Sequence, residues 1–511
     1  MEELKVLITT SGIGSRLGKL TDFTNKSLVR IGDKPAISHI IEYYPKNTSY
    51  VITLGHFGSY VKEFINLAYP KRKFTFVHVD NFKGTGSSLG YSILQAKSEL
   101  QCPFIFHASD TILTKEDNIP NLNSNWCAGA HKNETSQYRT LKIDNGLVEI
   151  INEKGEINFD YPYIGLCGIK NYKLFWDKLE SLPNTTSLSD IHVINEMLKT
   201  TKFKFHKINK WLDMGNVNEL NKTRKYFGSS IEVLDKLNES IYFFNDFVIK
   251  FFSDSTTNNN RVKRALKLNG LVPDIIDSSS NFYKYKKIKG NLFSKSVNEI
   301  TFKIFLKWAK ANLWKPKTPV NFIQKCFDFY ILKTQKRIDQ YLNGKSDKAE
   351  NINGEIVPPI KELLSQINKE WLCDGIPTQF HGDFILDNII ETDDSFKLID
   401  WRQDFGGDLE VGDIYYDLAK LNHNLTINHG IVDQKLYNSS PDNCYILCNS
   451  TLLKCKESLY KFIISEGYDL YKVKLLSSII WINMAPLHEY PFNRFLFNFG
   501  KYNLYKALKN D

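Results

Sequence analysis

"LKVLITTSGIGSRL", residues 4–17, decides the fold of the first part of the chain. Its apolar and β-branched residues read as a buried strand that runs into two glycines and an arginine. Helical periodicity then takes over in "KPAISHIIEYY" (34–44). The same rhythm continues outward. "YVITLG" (50–55), "KFTFVHVD" (73–80) and "PFIFHASD" (103–110) read as strands, with "SYVKEFINLAY" (59–69) and "SSLGYSILQAK" (87–97) as helices between them. Strands that alternate with helices predict an α/β, mixed but mostly parallel sheet with helices on both faces. Such sheets bind ligands beyond the carboxyl ends of their strands.

The glycine loop therefore sits where a ligand belongs. Backbone N–H groups freed by glycine can wrap phosphate oxygens. The loop lacks the Gly-Lys-Ser/Thr of a Walker A sequence and the full dinucleotide pattern. Arg16 within it and Lys26 beyond it are two cations able to neutralise a departing pyrophosphate.

"GIGSRLGKLTDFTNKSLVRIGDKPAISHII" (12–41) resembles the glycine-rich signature of the nucleotidyltransferases that activate sugar phosphates and phosphocholine, and the likeness runs to about residue 220. The resemblance implies that Gly12, Gly14 and Arg16 hold a triphosphate, with Lys26 in "NKSL" beside them. It implies metal-binding acids at Asp110 in "ASDTI" and Asp213 in "WLDMGN", two carboxylates able to hold Mg²⁺. Lys154 in "NEKGE" matches a lysine that contacts the acceptor's phosphate, although Gly155 stands where proline is frequent. "KGTGSSLG", with Gly84, Gly86 and Ser87, resembles the loop that meets the nucleobase, leaving pyrimidine and purine open.

After about Leu220 the rhythm changes. "KTRKYFGSSIEVLDKLNES" (222–240) reads as a terminal helix and connection, "SIYFFNDFVIKFF" (240–252) as a hairpin, and polar "SDSTTNNN" (253–260) as an exposed loop. From about Ser296 most segments have helical periodicity, interrupted by "HGDFILDNIIETDDSFKLIDW" (381–401), which reads as loop, strand, turn, strand. Asp383 is spaced to accept a hydroxyl proton, and Asn388 and Asp400 to hold Mg²⁺. That order of base, amide and metal carboxylate is what kinase-type phosphoryl transfer requires.

Residues 236–511 resemble the aminoglycoside phosphotransferase and choline kinase family, whose loop has the His-Gly-Asp form found in "HGDFILDN" (381–388). The resemblance implies Asp383 as base, Asn388 and Asp400 as metal ligands, and His381 as a brace. It also implies Lys250 in "DFVIKFF" as the strand lysine that steadies ATP, and "YKYKKIKG" (283–290) as the hinge against adenine. Asp413 and Asp417 read as structural. No partner glutamate for Lys250 is evident. The organisation expected is a nucleotidyltransferase domain over 1–225 and a two-lobed, protein-kinase-like α+β domain over 236–511, with a small lobe at about 236–295 and a helical lobe at about 296–511.

At 511 residues the chain suits two or three domains. A net charge of +9 can attract nucleoside triphosphates, but the lysines are scattered among acids, so nucleic acid is not an expected partner. Acid precedes the first apolar run, and no apolar segment approaches the ~20 residues of a membrane helix, so neither secretion nor membrane insertion is expected. Eight cysteines over this length make no disulfide framework. Cys444, Cys448 and Cys455 are spaced as helix neighbours, with no nearby His pair to make a metal site. These features read as a reduced, cytoplasmic protein. "WINMAPLHEYPFNRFLFNFGKY" (481–502) offers Trp481, Tyr490 and Phe492 either as core or as an aromatic cage for a quaternary ammonium.

The two sites read as acting in series. The kinase phosphorylates a small alcohol (a polyol, choline or another amino alcohol) with ATP. The transferase then joins that phosphate to CMP from CTP, giving a CDP-activated alcohol for surface polysaccharide or lipid decoration. The alternatives are an anomeric sugar kinase feeding a uridylyl- or guanylyltransferase, and a regulatory nucleotide-binding protein with an inactive kinase half.

Overall fold

A computed structural model describes residues 3–228, 236–440 and 443–509. It divides into two compact units, one of residues 1–255 with 276–285, the other of 256–275 with 286–511. The expected connection after residue 226 falls partly at 229–235, outside the described residues.

The first unit is built on β1 (Lys5–Thr9), α1 (Ala36–Tyr43), β2 (Ser49–Leu54), α2 (Gly58–Ala68), β3 (Lys73–His78), α3 (Leu89–Leu94) and β4 (Phe104–Ala108). β5 (Thr111–Leu113), β6 (Asn125–Ala130), β7 (Thr140–Asp144), β8 (Leu147–Asn152) and β9 (Tyr161–Ile169) follow, then α4 (Tyr172–Ser181) and α5 (Asp190–Leu198). β10 (Phe203–Ile208), β11 (Trp211–Asp213) and α6 (Val217–Phe227) complete the α/β part. Nine strands form one sheet in the order β3-β2-β1-β4-β9-β6-β10-β8-β7.

The expected parallel character holds from β3 to β4, where every pairing is parallel. Beyond β4 it gives way, because β9 pairs antiparallel with both β4 and β6, and β8 with both β10 and β7. Only β6 and β10 are parallel there. Val6, Leu7 and Ile8 of β1 are fully buried, as a central strand covered on both faces requires. β1 has β2 on one side and β4 on the other, and the loops after β1 and β4 open at their carboxyl ends.

A second sheet belongs to this unit, apart from Ile275 and Lys286 at its ends. It is formed by β12 (Glu239–Phe243), β13 (Phe247–Phe252), β14 (Ile275–Ser278) and β15 (Phe282–Lys286), in the order β12-β13-β15-β14. β12 and β13 are the expected hairpin. The boundary drawn from sequence at 236 assigns these strands to the small lobe of the second domain; in the structure they pack with residues 1–228. Tyr242, Ile249, Phe251 and Phe282 share one core with Val61, Phe64 and Ile65 of α2. Tyr242 also donates its hydroxyl to Leu28 O at 2.7 Å, and Lys284 donates to Leu67 O at 2.9 Å.

The second unit is mainly helical. "SDSTTNNN" is not a loop: it opens α7 (Ser255–Lys267), a polar helix that buries Asn258, Arg261 and Arg264 beside Ala265. Those polar side chains hid the helix from a hydrophobic pattern. β16 (Ile389–Glu391) and β17 (Phe396–Leu398) pair antiparallel, as expected. Around them lie α8 (Glu299–Asn312), α9 (Lys333–Leu342), α10 (Ile414–Thr426), α11 (Ser450–Ser465), α12 (Leu470–Met484) and α13 (Phe492–Leu508). Trp481 and Phe492 are core residues, whereas Tyr490 is 73% exposed, so these three build no cage. None of the eight cysteines is in a disulfide, and of the three spaced as helix neighbours only Cys455 is helical, Cys444 lying on strand Asn443–Ile446. Among the described residues no helix is long and apolar enough to cross a membrane.

Candidate active sites

The first site forms where β1 and β4 end. Gly14 has φ 71°, and a Cβ there would come within 2.9 Å of Lys26 Cβ, so the loop reaches Lys26 only as glycine. A cavity of about 370 Å³ is lined by Gly12, Gly14, Arg16, Lys26, Ser87, Asp110 and Gly215, among others. Gly84 and Gly86, at φ 79° and 81°, shape the loop that carries Ser87, whose hydroxyl donates to Gly84 O at 2.7 Å.

Asp110 and Asp213 meet over Gly215. A Cβ on that glycine would lie 3.1 and 3.6 Å from Asp213 Oδ1 and Oδ2, and 3.7 Å from Asp110 Oδ2. The backbone ties the two segments together, Met214 N donating to Asp110 O at 3.1 Å. Two carboxylates converging beside a glycine form the oxygen set that Mg²⁺ prefers, so the residues fit that ion, with Lys26 competing for Asp110. Lys26 Nζ donates to Asp110 Oδ2 at 2.6 Å. Burial would raise the Asp110 carboxyl, but Lys26 and then Arg16 outweigh it and hold it below the usual range. Asp213 is raised, first by burial and then by the charge on Asp110.

Other residues around Asp213 carried no sequence signal. Tyr138 donates its hydroxyl to Asp213 Oδ2 at 2.6 Å. The Lys132 ammonium lies 3.7 Å from Asp213 Oδ2 and 2.7 Å from Glu219 Oε2, over the Tyr138 and Trp211 rings at 4.5 and 4.4 Å. Lys154 follows β8 in an exposed turn. Its ammonium is lowered by partial burial, then by Arg16 and Arg139, while Asp110 acts the other way, which sets it in the field of the same site. Gly155 has φ 92°, a value closed to proline, and this accounts for glycine at that position.

The second unit assembles "HGDFILDN" and "LIDW". Ile399 N donates to Asn388 O at 2.9 Å and Arg402 N to His381 O at 3.0 Å, which sets the two segments side by side. Asn388 Nδ2 donates to Asp383 O at 2.9 Å and Oδ2 at 3.1 Å. Lys420, on α10, pairs with Asp383 Oδ1 at 2.7 Å. Burial would raise Asp383, but Lys420 outweighs it and keeps the carboxylate ionised. Asp400 has φ 56°, a strained conformation for a residue with a side chain, and is paired with Arg261 of α7. Asp400 and the side-chain amide oxygen of Asn388 are ligands suited to Mg²⁺, with Arg261 competing for the acid.

His381 is fully buried and lowered to about 4 by that burial, so it is a neutral brace, its Nε2 bonded to Ile399 O at 3.0 Å. Asp417 accepts the N–H groups of His381 and Gly382 at 2.8 and 2.7 Å. Asp413 caps α10 and accepts the Tyr330 hydroxyl at 2.8 Å. Arg264 donates to the carbonyls of Phe380, His381, Arg402 and Leu409, clamping both segments. Lys250 lies on β13 of the first unit, 7% exposed and in register with Ile241.

Lys420 had a findable signal, since it stands three residues after Asp417 and so on the same helical face. Arg261 and Arg264 had none, because residues 253–260, where their helix opens, were read as a loop.

No family model matches the chain. The N-terminal part is similar to nucleotidyltransferases. A protein named "Probable glucose-1-phosphate cytidylyltransferase" from Bacillus subtilis (strain 168) is 25% identical over 176 residues, 30% of this chain and 69% of that protein. The choline-phosphate cytidylyltransferase of Streptococcus pneumoniae (strain ATCC BAA-255 / R6) is 30% identical over 109 residues, 21% of this chain and 45% of that one. The solved CTP:phosphocholine cytidylyltransferase from Streptococcus pneumoniae aligns with 44% of this chain and 100% of its own, at TM-score 0.39 and 18% identity.

Proposed function

We propose that this is a bifunctional cytoplasmic enzyme whose functional domains are residues 1–225 and 236–511. The C-terminal domain phosphorylates a small alcohol with ATP, and the N-terminal domain transfers CMP from CTP to the resulting phosphate. The observation that carries the reading is the meeting of Asp110 and Asp213 over Gly215, beside Lys26 and the glycine loop. CTP is favoured because both curated relatives are named cytidylyltransferases.

In the transfer an oxygen of the acceptor's phosphate, held by Lys154, attacks the α-phosphorus of CTP. The bond to the β-phosphate oxygen breaks, and pyrophosphate leaves with the electron pair. Arg16 and Lys26 stabilise the charge that moves onto pyrophosphate, so catalysis is positioning and electrostatics with no protein nucleophile. When bound, Mg²⁺ supplies Lewis-acid stabilisation of the phosphate oxygens from Asp110 and Asp213. Gly84, Gly86 and Ser87 form the base-side loop.

In the kinase step the alcohol's proton passes to Asp383 as its oxygen takes the γ-phosphoryl group, and ADP leaves. Asn388 and Asp400 would hold the metal.

A second reading, an anomeric sugar kinase feeding a sugar-1-phosphate nucleotidyltransferase, is favoured by the name of the Bacillus relative. Pyrophosphate release is the deciding assay. The full chain is incubated with ATP, a panel of alcohols and sugars, and CTP, UTP or GTP in turn. The first reading expects release only with CTP, and only once an alcohol has been phosphorylated. Release driven by a sugar 1-phosphate selects the second reading, and no release with any combination overturns both.

A further inference from the structure

Around Asp383 the second unit gathers cations that the proposed chemistry does not use. Lys333, at the start of α9, has its ammonium 3.9 Å from the centre of the Phe329 ring and 5.7 Å from that of Tyr416. The Arg402 guanidinium lies 4.9 Å from the same Phe329 ring. Its side chain leaves beside the catalytic loop, since a Cβ on Gly382 would come within 2.7 Å of Arg402 Cβ. Arg337, four residues after Lys333, shares its helical face. Tyr416 and Lys420 are likewise four apart on α10, and Lys420 is bonded to Asp383.

Lys333, Arg337 and Arg402 are each half-buried. Among the described residues, none of them has a carboxylate within ion-pair distance. The Lys333 ammonium makes no hydrogen bond there either. Among the described residues the Arg402 guanidinium donates only to the Asp404 carbonyl, at 3.0 Å, and that of Arg337 to the Gln340 side chain at 3.1 Å. Burial, then Arg402, Arg337 and Lys420, push the Lys333 ammonium well below its ordinary range, against the opposing charge of Asp404. Like charges withdrawn from water without counter-ions cost stability in the free protein. Planar guanidiniums beside an ammonium match a carboxylate or phosphate group.

We propose that Lys333, Arg337 and Arg402 form an anion subsite for the kinase acceptor, so that the alcohol phosphorylated at Asp383 carries its own compact oxyanion, a carboxylate or a phosphate. This rests on the kinase reading for its purpose, but not for its test. A quaternary ammonium such as choline is repelled by the same cluster, which selects among the acceptors considered above.

The test is calorimetric titration of the full chain with glycerate, glycerol 3-phosphate, glycerol and choline, with and without a saturating non-hydrolysable ATP analogue and Mg²⁺. One or both anions should bind at least about tenfold tighter than glycerol. The two anions distinguish a carboxylate site from a phosphate site. Lys333→Met and Arg402→Gln should each remove that difference, and Arg337→Gln, on a half-exposed helix face, serves should either fail to fold. The proposal is overturned by equal affinity for glycerol and both anions, by preference for choline, or by absence of anion binding. Anion binding that survives the substitutions also overturns it. So does anion binding abolished by the nucleotide, which would assign the cluster to ATP. Anion binding that meets these expectations in a protein that consumes no ATP with any alcohol would leave the subsite standing and remove the kinase reading instead.

Discussion

The two acid pairs are alike in composition and opposite in preparation. In the first unit Asp110 and Asp213 face each other over a glycine, and the charge of one raises the carboxyl of the other. Lys26 pairs with Asp110, but Lys132 stands 3.7 Å from Asp213, and that carboxyl stays raised. In the second unit each acid has its own cation, Lys420 on Asp383 and Arg261 on Asp400. Asp383 is accordingly lowered, although the charge on Asp400 acts to raise it. A divalent ion at either pair competes with a cation already there, the Lys26 ammonium on Asp110 or the Arg261 guanidinium on Asp400.

The largest test of this contrast is chemical. Asp383→Asn should lower alcohol-dependent ATP consumption by about 10²–10⁴-fold, the usual worth of a positioned base, and leave pyrophosphate release from supplied acceptor phosphate unchanged. Asp110→Asn should lower pyrophosphate release by about 10²–10³-fold and spare ATP consumption. Loss of both activities from either substitution in a folded protein would break the picture of independent sites.

Arg261→Met should sharpen the contrast. With its competitor removed, Asp400 should bind Mn²⁺ about tenfold more tightly by electron paramagnetic resonance titration. The same change offers nothing to the first site, whose Mn²⁺ affinity should stay at the wild-type value.

Asp413 and Asp417 extend the comparison to stability. Burial raises each to about 6 from an ordinary 3.8. Between about pH 4 and 6 the folded chain therefore holds more protons at these groups than the unfolded chain. Their contribution favours the fold at low pH and is lost as pH rises through about 6. Asp383, lowered by Lys420, acts in the opposite sense only below the ordinary carboxylate range. Asp413→Asn should flatten the pH dependence of thermal unfolding in that window, by up to about 3 kcal/mol. Smallest of all, Asn216→Ala removes the cap of α6, where Asn216 Oδ1 accepts Glu219 N at 3.0 Å. It should cost about 1 kcal/mol in denaturant unfolding and barely alter ATP consumption.

Much of the first unit was legible because its strands and helices are amphipathic or apolar in regular alternation. β1, α1, β2, α2, β3, α3 and β4 lie where the pattern assigns them. The antiparallel half was less so, since the pairing of β9 with β4 depends on contacts far apart in sequence. The glycine loop and Lys26 were legible by type and position and the two aspartates through the resemblance; the loop, Lys26 and Asp110 line one cavity, and Asp213 meets Asp110 at Gly215. Tyr138, Lys132 and Glu219 were not, because an isolated tyrosine or lysine says nothing until a strand delivers it to a carboxylate. α7 was missed for a different reason: its inward face carries asparagine and arginine, which hydropathy reads as solvent-facing.

The ring-lined seam between α2 and the β12–β15 sheet has a practical corollary for anyone separating the activities by truncation. A fragment starting at residue 236 would retain Tyr242, Phe251 and Phe282 but shed Val61, Phe64 and Ile65, the side chains that keep them dry. Newly wetted aromatic surface of that kind drives clumping. Point substitution, not scissors, is the way to silence one half of this polypeptide.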